Sequence, residues 1–293
     1  MENESILESR KYYQRNKMLS VIRTNTDVSR NDIRKMTAYS MTTVMNTVED
    51  MIRDGLIYEA TASMMFHVPK DQIKKGGARA DLRSKGKVAT LACGYQGSTG
   101  ALIQMGALKS GIPEDELPGI VKRWCKANQN IVHFWYALEE AVINAVQGRP
   151  STLAHGIRFE READYLFITL PSGRRLAYYK PELRPEPKFD KLGLTYMGVG
   201  QNRQYCRQKS YGGKLVENIT QATARDCLRD AMTALEAAGY RIVFHVHDEV
   251  IADMPEGTGS LAEIQEIMGR PLSWAPGLPL RAAGFEAGFY MKD

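Results

Sequence analysis

The chain has 293 residues, 43% hydrophobic and 25% charged, with a formal net charge of +5, an ordinary globular balance with enough apolar material for a sizeable core. No window approaches the roughly 18 uninterrupted apolar residues that cross a bilayer, and the first residues, MENESILESRKYYQRNK, lack the apolar core of an export signal. Cys93, Cys125, Cys206 and Cys227 are scattered without a C-x-x-C pair or a neighbouring ligand-spaced histidine, which argues against a disulfide framework and a structural zinc site. The expectation is a soluble, cytoplasmic protein with no membrane partner.

Residues 1–56 predict three short helices. The first, about 12–25, carries Met18, Leu19, Val21 and Ile22 as its apolar stripe. Ser29 opens the second, with Asp32 three residues on as a variant capping box. Ser40 opens the third, in which Val44, Val48, Met51 and Ile52 share one face, and Gly55 ends it. Two short capped helices joined by a tight turn form a helix-turn-helix pattern. Thr42, Thr43 and Asn46 lie on the polar side of its second helix, where groove-reading side chains sit. The run NKMLSVIRTNTDVSRNDIRKMTAYSMTTVMNTVEDMIRDGLI, most of 16–57, resembles the N-terminal winged helix of ROK-family transcriptional regulators. The β-hairpin wing of that family is missing.

From about Ile57 onward the pattern mixes α and β. Residues 70–87 (KDQIKKGGARADLRSKGK) hold seven Lys/Arg against Asp71 and Asp81, a surplus of five, so the rest of the chain sums to zero. Helices are predicted over 82–96 and 113–147. IRFER (157–161), YLFITL (165–170) and RLAYY (175–179) read as strands, the last two joined by the turn Pro171-Ser172-Gly173-Arg174. Residues 201–214 are basic, with Tyr205 and Tyr211 interleaved, a composition that suits a polyanion. A long helix follows over about 213–238, closed by Gly239. In YRIVFHVHDEVIADMP (240–255) two β-branched runs meet at His247-Asp248-Glu249, which predicts a hairpin with a charged tip. Carboxylates at such a junction can hold Mg²⁺ and leave positions open for phosphate.

Arg83, Lys87, Leu91 and Tyr95 recur at four-residue steps and form one continuous helical stripe. Two cations, an apolar residue and an aromatic in line could bind a triphosphate and stack on a base. With the hairpin, this stripe resembles the DNA polymerase I family (family A), most closely its phage-type members. RSKGKVATLACGYQG is similar to motif B, the helix that binds the incoming nucleotide. It departs at Leu91, usually aromatic, and at Gln96, which separates Tyr95 from Gly97. FHVHDEVIAD is similar to motif C. The resemblance implies a metal-binding Asp248 assisted by Glu249, with His247 near the primer end. LPSGRRLAY and LVENITQATARD are similar to the segments joining fingers to palm, implying that Arg174, Arg175 and Gln221 contact DNA or the nucleotide. The motifs stand in the family's order across about 57–293.

Family A chemistry joins a primer hydroxyl to an α-phosphate and uses two Mg²⁺ ions bridged by two aspartates. The first aspartate belongs to motif A, which precedes the fingers and has no counterpart in this sequence. The expected architecture is α+β. A helix-turn-helix head spans 1–56, and a partial family A polymerase spans 57–293, with fingers about 82–150 and palm parts about 151–293. Such a chain resembles a chimera of a regulator's head and a phage polymerase. The expected activity is template-directed deoxynucleotide addition on a DNA primer-template from deoxynucleoside triphosphates, weakened by the incomplete metal site unless a partner chain supplies the missing palm element. The alternative is a non-catalytic DNA-binding or regulator-like protein that uses its head.

Overall fold

The computed structural model describes residues 57–291 apart from 75, 154–155, 187–190 and 201. The predicted helix-turn-helix, with Thr42, Thr43 and Asn46, lies outside the described residues. Within them the chain is α+β, as expected, and divides into two compact units, one ending at His133 and one beginning at Phe134.

The first unit is helical. It contains α1 (Ile57–Phe66), the single turn α2 (Lys70–Ile73), α3 (Leu82–Cys93), α4 (Thr99–Gln104), a 3₁₀ turn (Glu114–Glu116) and α5 (Leu117–Ala127). Ala62, Ile73 and Leu82 form a buried cluster against which Phe66 and Val68 pack. The axis of this unit is the crossing of α1 with α3, which small residues make close. A Cβ at Gly86 would stand 2.1 Å from the Tyr58 carbonyl oxygen and 2.9 Å from the Ala62 Cβ. Thr61 and Thr90 then hydrogen-bond through their hydroxyls at 2.9 Å across the crossing.

The continuous helix predicted over 113–147 is two helices. Asn128 has φ −121° and ψ 45°, and both its backbone N–H and its side-chain amide donate to the Trp124 carbonyl. An asparagine that satisfies a helix-end carbonyl with its own side chain competes with continuation of the helix. The next helix, α6 (Gln129–Val146), buries Trp135, Leu138, Val142 and Val146, spaced three and four apart.

The second unit is built on a six-stranded antiparallel meander with neighbours in chain order. It comprises β1 (Ser151–Thr152), β2 (Arg158–Glu162), β3 (Tyr165–Thr169), β4 (Arg175–Glu186), β5 (Lys191–Val199) and β6 (Tyr205–Ser210). The three predicted strands are present, and β4 runs seven residues beyond its prediction, through a bulge between Tyr179 and Glu182. The segment read only as basic is largely β6. Alternation along it sets Tyr205, Arg207 and Lys209 on one face and turns Ser210 into the core.

Phe159, Leu166, Ile168 and Leu194 are buried in the sheet, and the long helix α7 (Gly212–Ala237) buries Leu215, Val216, Ile219 and Leu228. A Cβ at Gly212 would stand 2.1 Å from the Trp135 carbonyl oxygen, so α7 begins hard against α6. Lys191 Nζ donates to both carboxylate oxygens of Glu139 at 2.7 and 2.8 Å, tying β5 to α6. Strands β7 (Ile242–Val246) and β8 (Glu249–Ala252) form a separate hairpin, followed by α8 (Leu261–Met268). Leu235, Tyr240 and Ile267 make the buried cluster that holds this hairpin to α7 and α8.

The turn between β3 and β4 is anchored to α7 by a buried charge. Arg174 Nε donates to Asp226 Oδ1 at 2.6 Å, Ser172 Oγ donates to Asp226 Oδ2 at 2.5 Å, and Arg174 Nη2 donates to the Ala222 carbonyl at 2.7 Å. The Asp226 side chain is 2% exposed and that of Arg174 38%. Removing one partner of such a pair is worst when it strands the more deeply buried charge. Arg174→Met should therefore cost about 3 kcal/mol in urea unfolding, and Asp226→Asn, which still accepts a hydrogen bond, about 1 kcal/mol; equal losses would refute the asymmetry. Gly86→Ala should cost about 3 kcal/mol by the same measurement, even though alanine is the better helix former by about 1 kcal/mol.

Candidate functional site

The predicted site residues fall into two groups, one in each unit. In the first unit, Arg83, Lys87 and Leu91 lie on α3 as the spacing requires, with both cations exposed and Leu91 half-buried. Tyr95 lies two residues beyond the helix end, in a turn where Gln96 takes φ +64°. Bonds from the Gly97 N–H to the Ala92 carbonyl and from the Gln96 N–H to the Cys93 carbonyl close α3 as a Schellman-type cap. A Cβ at Gly97 would come within 2.2 Å of the Ala92 carbonyl oxygen, which accounts for glycine there.

Helix α1 supplies partners that the sequence reading missed. Arg83 Nε donates to Glu59 Oε1 at 2.7 Å. The Tyr58 ring lies 5.3 Å from the Arg83 guanidinium carbon and 6.0 Å from Lys87 Nζ, so it faces both cations. Elsewhere in the basic stretch, Arg79 pairs with Asp81 at 3.2 Å, and Lys85 lies over Phe66. The Arg79 guanidinium beside Asp81 holds that carboxyl below its ordinary range.

In the second unit, β7 and β8 pair with Val246 opposite Glu249, leaving His247 and Asp248 as a two-residue loop. The predicted hairpin and its tip are present, and His247, Asp248 and Glu249 are all exposed. His247 has φ +52°. Tight hairpins need positive φ in the loop, because that twist matches the strands, and glycine or asparagine usually supplies it. A β-carbon in this region costs about 1 kcal/mol, so the loop carries strain that a sequence chosen only for stability would avoid.

Three residues before the tip acid, His245 Nε2 lies 3.1 Å from Arg225 Nη2. Gln221 is exposed on α7, one turn before Arg225. Arg175 donates to Glu162 Oε1 at 2.6 Å and lies 3.5 Å from the Phe167 ring centre, while Arg174 is engaged by Asp226. Arg175 thus braces β2 and β3 from β4, and Arg174 ties the β3–β4 turn to α7. Asp164 sits in the turn between β2 and β3, where its carbonyl accepts from the Lys180 N–H.

Asp248 and Glu249 offer hard oxygen donors at an exposed loop. That suits Mg²⁺, which commonly takes one or two carboxylates and completes its shell with water and phosphate oxygens. Among the described residues no group of three or more His, Cys, Asp or Glu is placed to hold a metal. No helix among the described residues is long and apolar enough to cross a membrane.

No family model matches the chain. Over 240 residues, 82% of this chain, the sequence is 55% identical to the DNA polymerase of Bacillus phage SP02. This chain is related to a phage DNA polymerase. The match covers 37% of that polymerase, so the chain spans well under half of its relative's length.

Relaxing the strained loop should separate its mechanical cost from its chemistry. His247→Gly is expected to raise the stability of the chain by about 0.5–1 kcal/mol in thermal or urea unfolding. A fall in stability would show that the His247 side chain makes a contact worth more than the strain.

Proposed function

We propose that the chain is a family A portion of a phage DNA polymerase whose chemistry is template-directed deoxynucleotidyl transfer. The observation that carries this reading is the 55% identity to a phage DNA polymerase over most of the chain. It is supported by a strained acidic hairpin tip and a helix that presents two cations. The fingers correspond to about 82–150 and the palm parts to about 151–293.

In this reading Arg83 and Lys87 grip the triphosphate. The fork of Arg83 gives direction and Lys87 a compact point charge. Leu91 and Tyr95 border the nascent base pair. Asp248, assisted by Glu249, would hold Mg²⁺, and His247 lies by the primer end. When bound there, Mg²⁺ would supply neutralisation of phosphate charge and favour ionisation of the primer hydroxyl. Gln221, Arg174 and Arg175 border the primer-template. The exposed cations and the Gln221 amide orient the DNA backbone without reading its sequence.

The sequence ahead of α3 contains no motif A aspartate. We therefore infer that this chain alone holds an incomplete metal site and extends primers weakly or not at all. A partner polypeptide carrying the missing palm element would complete the site.

The decisive test is primer extension by the purified chain with Mg²⁺ and all four deoxynucleoside triphosphates, beside Asp248→Ala. The expected result is little or no extension, with DNA binding retained and falling steeply as salt rises. Robust extension that disappears in Asp248→Ala would refute the incomplete site while supporting the polymerase reading. Absence of DNA binding at low salt would count against the reading as a whole.

A further inference from the structure

Glu59 raises a question that the packing of α1 does not answer. Its side chain is 5% exposed. One carboxylate oxygen accepts from Arg83, and the other, Oε2, is buried with no hydrogen-bond partner among the described residues. Burying an ionised carboxylate is destabilising, and leaving one of its oxygens unbonded adds to the cost. A methionine of similar length would fill the same space between α1 and α3 without that cost. What the carboxylate provides instead is a fixed arginine.

The geometry of the bond shows how the arginine is fixed. Glu59 takes the Nε–H, the donor nearest the chain, and among the described residues no hydrogen bond takes the two terminal nitrogens of the guanidinium. Those terminal groups form the fork that grips phosphate oxygens in pairs. The Arg83 side chain is 45% exposed, so it is held at its base and open at its tip. Tyr58, the residue before Glu59, presents its ring to both Arg83 and Lys87. One turn of α1 therefore braces both cations of α3. Among the described residues Lys87 has no carboxylate within ion-pair distance, whereas Arg83 is paired with Glu59.

Resting on the assignment of α3 to the triphosphate, we propose that Glu59 is a positioning residue that preorders Arg83 for the phosphates of the incoming nucleotide. It does not touch the nucleotide. It acts by removing rotamer freedom that Arg83 would otherwise lose on binding. Lys87 supplies the attraction and Arg83, held by Glu59, supplies the direction.

The test measures binding of a deoxynucleoside triphosphate to the full chain by titration calorimetry at fixed salt. The parent is compared with Glu59→Met, Glu59→Gln, Arg83→Ala and Lys87→Ala, and each variant is also melted. Glu59→Met should bind about five- to tenfold more weakly, the scale of leaving one long side chain unordered, with a Tm equal to or above that of the parent. Glu59→Gln, whose amide oxygen can still accept from Nε, should fall between Glu59→Met and the parent. Lys87→Ala and Arg83→Ala should both weaken binding.

Binding by Glu59→Met as tight as the parent or tighter, with Lys87→Ala weakened, would overturn the positioning role alone. So would a loss of binding accompanied by a lowered Tm and not rescued by glutamine, since that is the mark of a structural residue. A parent that binds no triphosphate, or Lys87→Ala and Arg83→Ala variants that bind like the parent, would overturn the assignment of α3 and the positioning role with it.

Discussion

The first unit depends on one close approach, that of α1 to α3 at Gly86. The missing side chain lets the Tyr58 carbonyl sit where a Cβ would otherwise stand. That proximity brings Tyr58 and Glu59 within reach of Arg83 and lets Thr61 meet Thr90. At an ordinary interhelical distance of 8–10 Å, larger side chains would fill the interface, and the cations of α3 would have only solvent to orient them. The small residue therefore has its main effect one turn away, on the long and charged neighbours.

The second unit uses buried polar anchors where the first uses a small residue. Asp226 receives Arg174 and Ser172 from the β3–β4 turn, Glu139 receives Lys191, and Asn218 donates to the Tyr178 hydroxyl at 2.9 Å. Burial pushes the Tyr178 phenol up to about 12, so it stays protonated throughout the physiological range. Tyr240 donates to Glu263 at 2.5 Å and accepts from the Ser260 N–H, fixing the start of β7 to the start of α8. Each anchor joins elements distant in sequence and permits few geometries, because a buried polar group is tolerated only when its partner is in place. Of these anchors Tyr240 stands at the foot of β7, in the buried cluster that packs against the hairpin.

Two kinds of side chain at the candidate site differ in how they are held. The hairpin acids are exposed and carried by local turn geometry, so their placement follows from strand pairing within 242–252. The α3 cations are carried by an ordinary helix but oriented by a different helix. The acids are thus positioned by the backbone, and Arg83 is positioned by a side chain.

Much of this was readable in the sequence. Four-residue spacing put Arg83, Lys87 and Leu91 on one helical face, and the β-branched runs flanking His247-Asp248 defined a hairpin with an acidic tip. Both follow from local periodicity, which the backbone expresses wherever tertiary contacts do not oppose it. The division of 113–147 at Asn128 depended on one side chain capping a carbonyl, and the strand at 205–210 was obscured by its charge. The Glu59–Arg83 contact spans 24 residues and the Arg174–Asp226 contact 52. No periodicity encodes such pairs. The sequence by itself determined which residues share a helix face or a turn, because those relations are set within a few residues of chain. Only the tertiary structure decided which buried acid faces which cation, because that follows from how closely the elements can approach.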